Sequence, residues 1–129
     1  MPSKRILVID DEPNILEVLQ CCLTDLAGWQ VYCADSAFEG LTLASEVGPD
    51  AILLDLMMPE MDGLTVLGHL RDREATRNIP VILISAKIKL LSSDRHLKVA
   101  GAIPKPFHPL EVIGQIQTLL GWEEEPLKA

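Results

Sequence analysis

The sequence predicts an α/β fold: a doubly wound, parallel, five-stranded sheet with helices on both faces. Three observations carry that prediction. Short apolar runs alternate five times with longer stretches of helical period, the pattern of successive βα units. The runs are continuously apolar, as in Ile6-Leu7-Val8-Ile9, which suits strands buried on both faces. Right-handed crossovers between parallel strands then leave the doubly wound sandwich as the simplest topology.

Each element has its own justification. The first strand, Ile6 to Ile9, ends at Asp10 and Asp11, and Pro13 follows where the first turn of a helix tolerates it. Ile15, Leu19, Cys22 and Leu26 recur at helical spacing, and Gly28 stops that helix. Val31 to Ala34 is a weaker strand, followed by a helix from Ala37 to Val47 and a break at Gly48-Pro49-Asp50. The third strand, Ala51 to Leu54, ends at Asp55; Leu56 to Met61 forms a loop, and Asp62 caps a helix through Leu64, Leu67 and Leu70. Pro80 to Ile84 is the clearest strand and runs into Ser85-Ala86. A helix over 88–99 carries Leu90, Leu91, Leu97 and Val99 and is closed by Gly101. Ala102 to Lys105 makes a short last strand, held to a sheet edge by Pro104, which has no N–H for a central ladder. Pro109 opens a final helix through Val112, Ile113, Ile116, Leu119 and Leu120.

The 129 residues suffice for one domain with a core of its own, predicted over residues 4–121 with a solvated tail over 122–129. Eleven Lys and Arg against nineteen Asp and Glu give a net charge of −8, which argues against a direct grip on a nucleic-acid backbone. Four apolar residues after Arg5 are too few for a signal peptide or membrane insertion. Three cysteines without metal-type spacing (Cys21, Cys22, Cys33) fit a reducing, cytoplasmic compartment. Cys22 reads as a small core residue. His69, His96 and His108 share no ligand spacing and read as surface or helix-end side chains. Lys87, Lys89, Arg95 and Lys98 form either a solvated helix face or a docking surface for an acidic partner.

Ligands of open α/β sheets bind beyond the carboxyl ends of the strands, where strand order reverses. There the sequence delivers Asp10 and Asp11 from strand one, Asp55 from strand three, Ser85 from strand four and Lys105 from strand five. Three close carboxylates oppose one another's ionisation, and a hard divalent cation such as Mg²⁺ relieves that conflict. A hydroxyl and an ammonium beside such an ion describe a place for a phosphoryl group, with Asp55 the candidate nucleophile.

Ile6-Leu-Val-Ile-Asp-Asp-Glu-Pro13, Leu53-Leu-Asp-Leu-Met-Met-Pro59 with Met61-Asp-Gly63, Ser85-Ala86 and Lys105-Pro-Phe107 closely resemble the receiver domain of bacterial two-component response regulators, in particular the single-domain, chemotaxis-regulator type. The resemblance spans roughly residues 4 to 121 and implies a flavodoxin-like sheet of order 2-1-3-4-5. It implies that Asp55 accepts a phosphoryl group from a histidine kinase or phosphotransfer protein. Mg²⁺, with Mn²⁺ as a substitute, would be held by Asp11, Asp55 and the backbone carbonyl of Met57, with Asp10 acting through a water. Lys105, the Ser85 hydroxyl and the Ala86 N–H would bind the phosphoryl oxygens, and a cis bond before Pro106 would aim the lysine inward. Met57 and Lys87 flank the pocket and would tune the lifetime of the phosphorylated state.

Two departures from the family pattern stand out. The usual switch aromatic, three residues before the lysine, is Ala102, and the segment from Gly101 to Lys105 is short, so the signal would travel through the loop after Ser85, the 88–99 helix, or both. The sequence ends after the last helix; if it is complete, the expected output is contact with a downstream protein, and the sequence assigns no oligomeric state. The competing readings are weaker. A haloacid-dehalogenase-type phosphatase needs a second acid two residues beyond the nucleophile, where Met57 stands. A nucleotide-binding domain needs a glycine-rich first turn, and this one is Asp10-Asp11-Glu12-Pro13. The remaining alternative is a receiver-like interaction module that works without phosphorylation.

Overall fold

A computed structural model describes residues 4–59, 61–86 and 99–122. In chain order these form β1 (Arg5–Ile9), α1 (Pro13–Asp25), β2 (Gln30–Ala34), α2 (Ala37–Val47), β3 (Ala51–Asp55), α3 (Gly63–Asp72), β4 (Val81–Ser85), β5 (Gly101–Pro104) and α4 (Pro109–Leu120). All strand pairs are parallel, and the sheet runs β2-β1-β3-β4-β5, as predicted. The predicted 88–99 helix falls almost wholly outside the described residues, as do Lys87 and the other three cations of that segment.

The continuous apolar strands are explained by what they separate. Leu7, Ile9, Ile52, Leu54, Val81 and Leu83 point to one face, where Ala37, Leu41 and Ala44 of α2 and Val66, Leu67 and Leu70 of α3 cover them. Ile6, Val8, Leu53, Ile82, Ile84 and Ile103 point to the other, against Leu19, Cys22 and Leu23 of α1 and Val112, Ile113 and Ile116 of α4. Successive strand residues serve opposite faces, so both alternating sets must be apolar. β1, β3 and β4 accordingly carry fully buried Ile, Leu and Val side chains that hold the sheet's carboxyl edge rigid.

Local chemistry starts the helices where the sequence places them. Pro13 occupies the first turn of α1 and Pro109 that of α4. The Asp62 carboxylate accepts the Thr65 N–H at 2.8 Å, and the Ser36 hydroxyl accepts the Glu39 N–H at 3.2 Å. His108 is a helix-end histidine, its Nδ1 accepting the Leu110 N–H at 3.2 Å.

The structure corrects the last strand and the tail. Gly101, read as a helix stop, instead opens β5, and Lys105 lies just past the strand's end. A Cβ at Gly101 would collide with the Leu119 side chain, so the glycine lets α4 pack down on β5. Lys105 nevertheless donates its backbone N–H to the Ser85 carbonyl at 2.9 Å, which fixes its position beside β4. Trp122, assigned to a solvated tail, is half-buried. Its ring meets Trp29 edge-on at 5.4 Å and lies beneath the Lys4 ammonium at 4.7 Å. An indole of that size recovers too much apolar contact there to remain in water.

Candidate functional site

The parallel strands end side by side, and the register brings their terminal residues together. Asp10 follows β1, Asp55 closes β3, Ser85 closes β4, and Lys105 follows β5. The Asp10 N–H donates to the Ala34 carbonyl of β2 at 3.1 Å, so this residue still belongs to the ladder although its side chain starts the site. Asp10, Asp55 and Ser85 are almost completely buried. Asp11 is half-buried, and Ala86 is exposed immediately after Ser85.

The buried charges are compensated by one another. The Lys105 Nζ lies 2.9 Å from Asp10 Oδ2, 3.6 Å from Asp55 Oδ2 and 3.7 Å from Glu12 Oε1. Only the Asp10 contact is a hydrogen bond by distance. The other Asp10 oxygen, Oδ1, accepts the Glu12 N–H at 2.9 Å, so one carboxylate holds both the lysine and the first turn after β1. Asp55 Oδ1 accepts the Met57 N–H at 3.2 Å.

Asp55 sits at the tightest point of the backbone. Gly63 donates its N–H to the Leu56 carbonyl at 2.9 Å, and a Cβ there would fall 2.6 Å from the Asp55 carbonyl oxygen and 2.7 Å from Leu56 Cα. Only glycine lets the start of α3 approach β3 this closely. The loop is thereby clamped over the end of the strand, and the Asp55 carboxylate is held at a fixed height above the sheet edge.

Burial dominates the electrostatics of Asp55, lifting its carboxyl from the ordinary 3.8 to about 6; the Met57 N–H and Lys105 resist the rise, and Asp10 and Asp11 add to it. Burial works against the Lys105 ammonium, but the hydrogen bond and charge of Asp10, then Asp55 and Glu12, outweigh it and hold the lysine above its ordinary value. At neutral pH the site therefore holds an ionised but poorly solvated carboxylate beside a fixed cation.

Asp10, Asp11 and Asp55 also offer carboxylate oxygens within 4.8 Å of one another. Three hard oxygen donors at that spacing fit a divalent oxygen-loving cation, and a thiolate- or imidazole-loving metal would find no ligand here among the described residues.

Of the predicted residues, Asp10, Asp11, Asp55 and Lys105 are brought together, and Ser85 and Ala86 stand at the end of the neighbouring strand β4. Lys87 lies outside the described residues, and the Met57 side chain is 53% exposed, its backbone N–H meeting Asp55. The Lys105–Pro106 bond is cis, as the resemblance implies. The sequence assigns Glu12 no site role beyond its place in the turn after β1, yet its carboxylate lies beside the lysine. Its position directly after two site aspartates was the available signal.

The chain is similar to known proteins in both sequence and fold. The family model described as the response regulator receiver domain matches residues 6–117. The DNA-binding dual master transcriptional regulator RpaA of Synechocystis is 37% identical over 119 residues, covering 90% of this chain and 48% of that protein. The transcriptional regulatory protein KdpE of Mycobacterium tuberculosis is 40% identical over 116 residues, covering 87% and 49%. The chain spans about half the length of the curated relatives it matches. Among solved structures, the N-terminal domain of a response regulator receiver protein from Methanoculleus marisnigri superposes with a TM-score of 0.70 at 31% identity, covering 93% of this chain and 98% of that one. The chemotaxis response regulator CheY4 of Vibrio cholerae shares the fold with a TM-score of 0.84 at 23% identity, covering 92% and 99%.

Proposed function

Because this chain belongs to the response regulator receiver-domain family, we propose that it is a phosphorelay switch whose phosphoacceptor is Asp55, and that it signals through phosphorylation-dependent contact with a downstream protein. The observation that carries the reading is a buried carboxylate, Asp55, ending a rigid central strand with the Lys105 ammonium 3.6 Å away. The donor is a phosphohistidine on a histidine kinase or phosphotransfer protein. An Asp55 carboxylate oxygen forms the new O–P bond as the donor's P–N bond breaks, and the electron pair of that bond leaves on the imidazole nitrogen. With the other ring nitrogen of the donor phosphohistidine carrying a proton, the products are an acyl phosphate on Asp55 and a neutral imidazole on the donor.

The chain's own groups perform three tasks. Burial keeps the Asp55 carboxylate poorly solvated and its basicity high, which makes it a better nucleophile than a surface aspartate. Lys105 neutralises charge that develops on the equatorial phosphoryl oxygens, and the Ser85 hydroxyl and Ala86 N–H extend that cradle from the end of β4. Asp10 fixes Lys105 while its other oxygen fixes the turn at Glu12. Asp10, Asp11 and Asp55, with the Met57 carbonyl, would hold Mg²⁺ (or Mn²⁺), which when bound supplies further positive charge to the phosphoryl oxygens. The only chemistry assigned to the chain is this self-directed transfer and the return hydrolysis.

One receiver domain is assigned over residues 1–129, its core running from residue 4 to Trp122, which packs on Trp29. Among the described residues no helix is long and apolar enough to cross a membrane. The proposed setting is cytoplasmic, and the acidic surface favours a protein partner over direct nucleic-acid contact. Incubation with acetyl phosphate and Mg²⁺, read by intact mass, tests the proposal. One added phosphoryl group, lost in Asp55→Asn and without metal, is the expected result. No adduct, together with no fluoroberyllate binding, would favour an interaction module that works unphosphorylated.

A further inference from the structure

Lys105 is the one cation within 4 Å of three carboxylates among the described residues, and the three do not hold it in the same way. Asp10 and Asp55 are buried, whereas the Glu12 side chain is 58% exposed and lies on the solvent side of the site. Glu12 is not free to drift. Its backbone N–H is fixed by Asp10 Oδ1 at 2.9 Å, the same carboxylate whose Oδ2 binds the lysine at 2.9 Å. Asp10 therefore sets the spacing of the Glu12–Lys105 pair. The Glu12 Oε1 comes within 3.7 Å of Nζ, almost the same distance as Asp55 Oδ2 at 3.6 Å.

Resting on the phosphoacceptor reading of Asp55, we propose that Glu12 is a positioning residue that brakes phosphorylation by drawing the Lys105 ammonium outward, away from Asp55. A lysine has three N–H donors, and Asp10 occupies one. Asp55 and Glu12 lie on near-equal terms with the remainder, so charge that the lysine shares with Glu12 is withheld from the phosphoryl group forming on Asp55. The buried Asp10 contact survives removal of Glu12, so the lysine stays in the site and gains freedom only toward Asp55. Glu12 touches neither the phosphoacceptor nor the incoming group in this account and acts through the lysine alone.

The test pairs Glu12→Gln with Glu12→Asp, each phosphorylated with acetyl phosphate and Mg²⁺ and followed by intact mass. Glutamine removes the charge. Aspartate keeps the charge on a side chain one methylene too short to reach the lysine. Both variants are expected to be phosphorylated about two- to fivefold faster than the parent, the range a part-exposed ion pair supports. Acceleration by glutamine alone would mean that the charge repels the donor directly and would overturn the proposal, as would unchanged or slower rates in both. A metal-free arm measures urea unfolding of Glu12→Gln in the parent and in a Lys105→Met background. Coupling between the two positions is expected, and strict additivity would overturn the proposal. Failure of the parent to take up any phosphoryl group would instead count against Asp55 as acceptor, with the coupling still measured.

Discussion

Replacing Asp55 by Asn should stabilise the folded protein, and more so at high pH than at low. Burial raises the Asp55 carboxyl from 3.8 to about 6 in the folded state. Between those values the folded state binds more protons than the unfolded state, so stability falls as pH rises through that window and stays reduced above it. A gap of about two pH units at 1.36 kcal/mol each makes the ionised carboxylate cost about 3 kcal/mol at pH 7.5. At pH 4.5 the folded-state carboxyl is already protonated, and the remaining cost is about 1 kcal/mol. Asparagine is neutral throughout and keeps an oxygen able to accept the Met57 N–H. Asp55→Asn is therefore expected to be more stable than the parent by about 3 kcal/mol at pH 7.5 and about 1 kcal/mol at pH 4.5, with a midpoint roughly 10 °C higher at the upper pH. Urea and thermal unfolding in EDTA at both pH values measure the difference. An equal gain at the two pH values, or a loss at pH 7.5, would refute the reasoning, since it would mean that Lys105 compensates the buried charge in full.

Three further outcomes follow from the same geometry. Mg²⁺ at ten times its dissociation constant should stabilise the parent by about 1.4 kcal/mol in thermal unfolding, and Asp11→Asn should lose most of that gain. Gly63→Ala forces a Cβ against the Asp55 carbonyl and Leu56 Cα, backbone that cannot yield; a loss of about 2–3 kcal/mol in urea unfolding is expected, with slower phosphorylation. Trp122→Ala removes the edge-on contact with Trp29 and the face beneath Lys4; about 2 kcal/mol of stability should be lost, with a change in near-ultraviolet circular dichroism and no effect on phosphorylation rate.

Much of this fold is legible because its strands are buried on both faces. Ile6 to Ile9 and Ala51 to Leu54 have no polar side, and that property alone requires helices above and below the sheet. Once the sheet is placed, the residues that end its strands become the candidate site, and Asp10, Asp55, Ser85 and Lys105 are found there. Gly101 misled because a glycine after an apolar periodic stretch reads as a helix stop. Its actual role, leaving room for Leu119, depends on a helix that follows it in the chain. Trp122 misled for the same reason, its partners Lys4 and Trp29 coming from the other end of the sequence. Glu12 was visible but ambiguous, since a carboxylate at the start of a helix has a sufficient local explanation in the helix dipole.

The packing also decides which member of the site is able to respond to phosphorylation. Asp55 ends a fully buried strand and is clamped from above by Gly63, whose approach leaves no space for even a methyl group. Asp10 is tied into the ladder through the Ala34 carbonyl and into the next turn through the Glu12 N–H. Neither can shift without breaking buried hydrogen bonds or overlapping backbone. Lys105 differs. It lies past the end of the short edge strand β5 and joins the cluster through a long side chain. A phosphoryl group on Asp55, as proposed above, would offer the ammonium a stronger anionic partner than the carboxylate it replaces, so the lysine would be the member that re-pairs. Its backbone is bound to Ser85 on one side and leads through Pro106, Phe107 and His108 into α4 on the other. On the phosphoacceptor reading of Asp55, re-pairing would act on the β4 end and the β5–α4 side of the sheet, with β1 and β3 as the fixed frame.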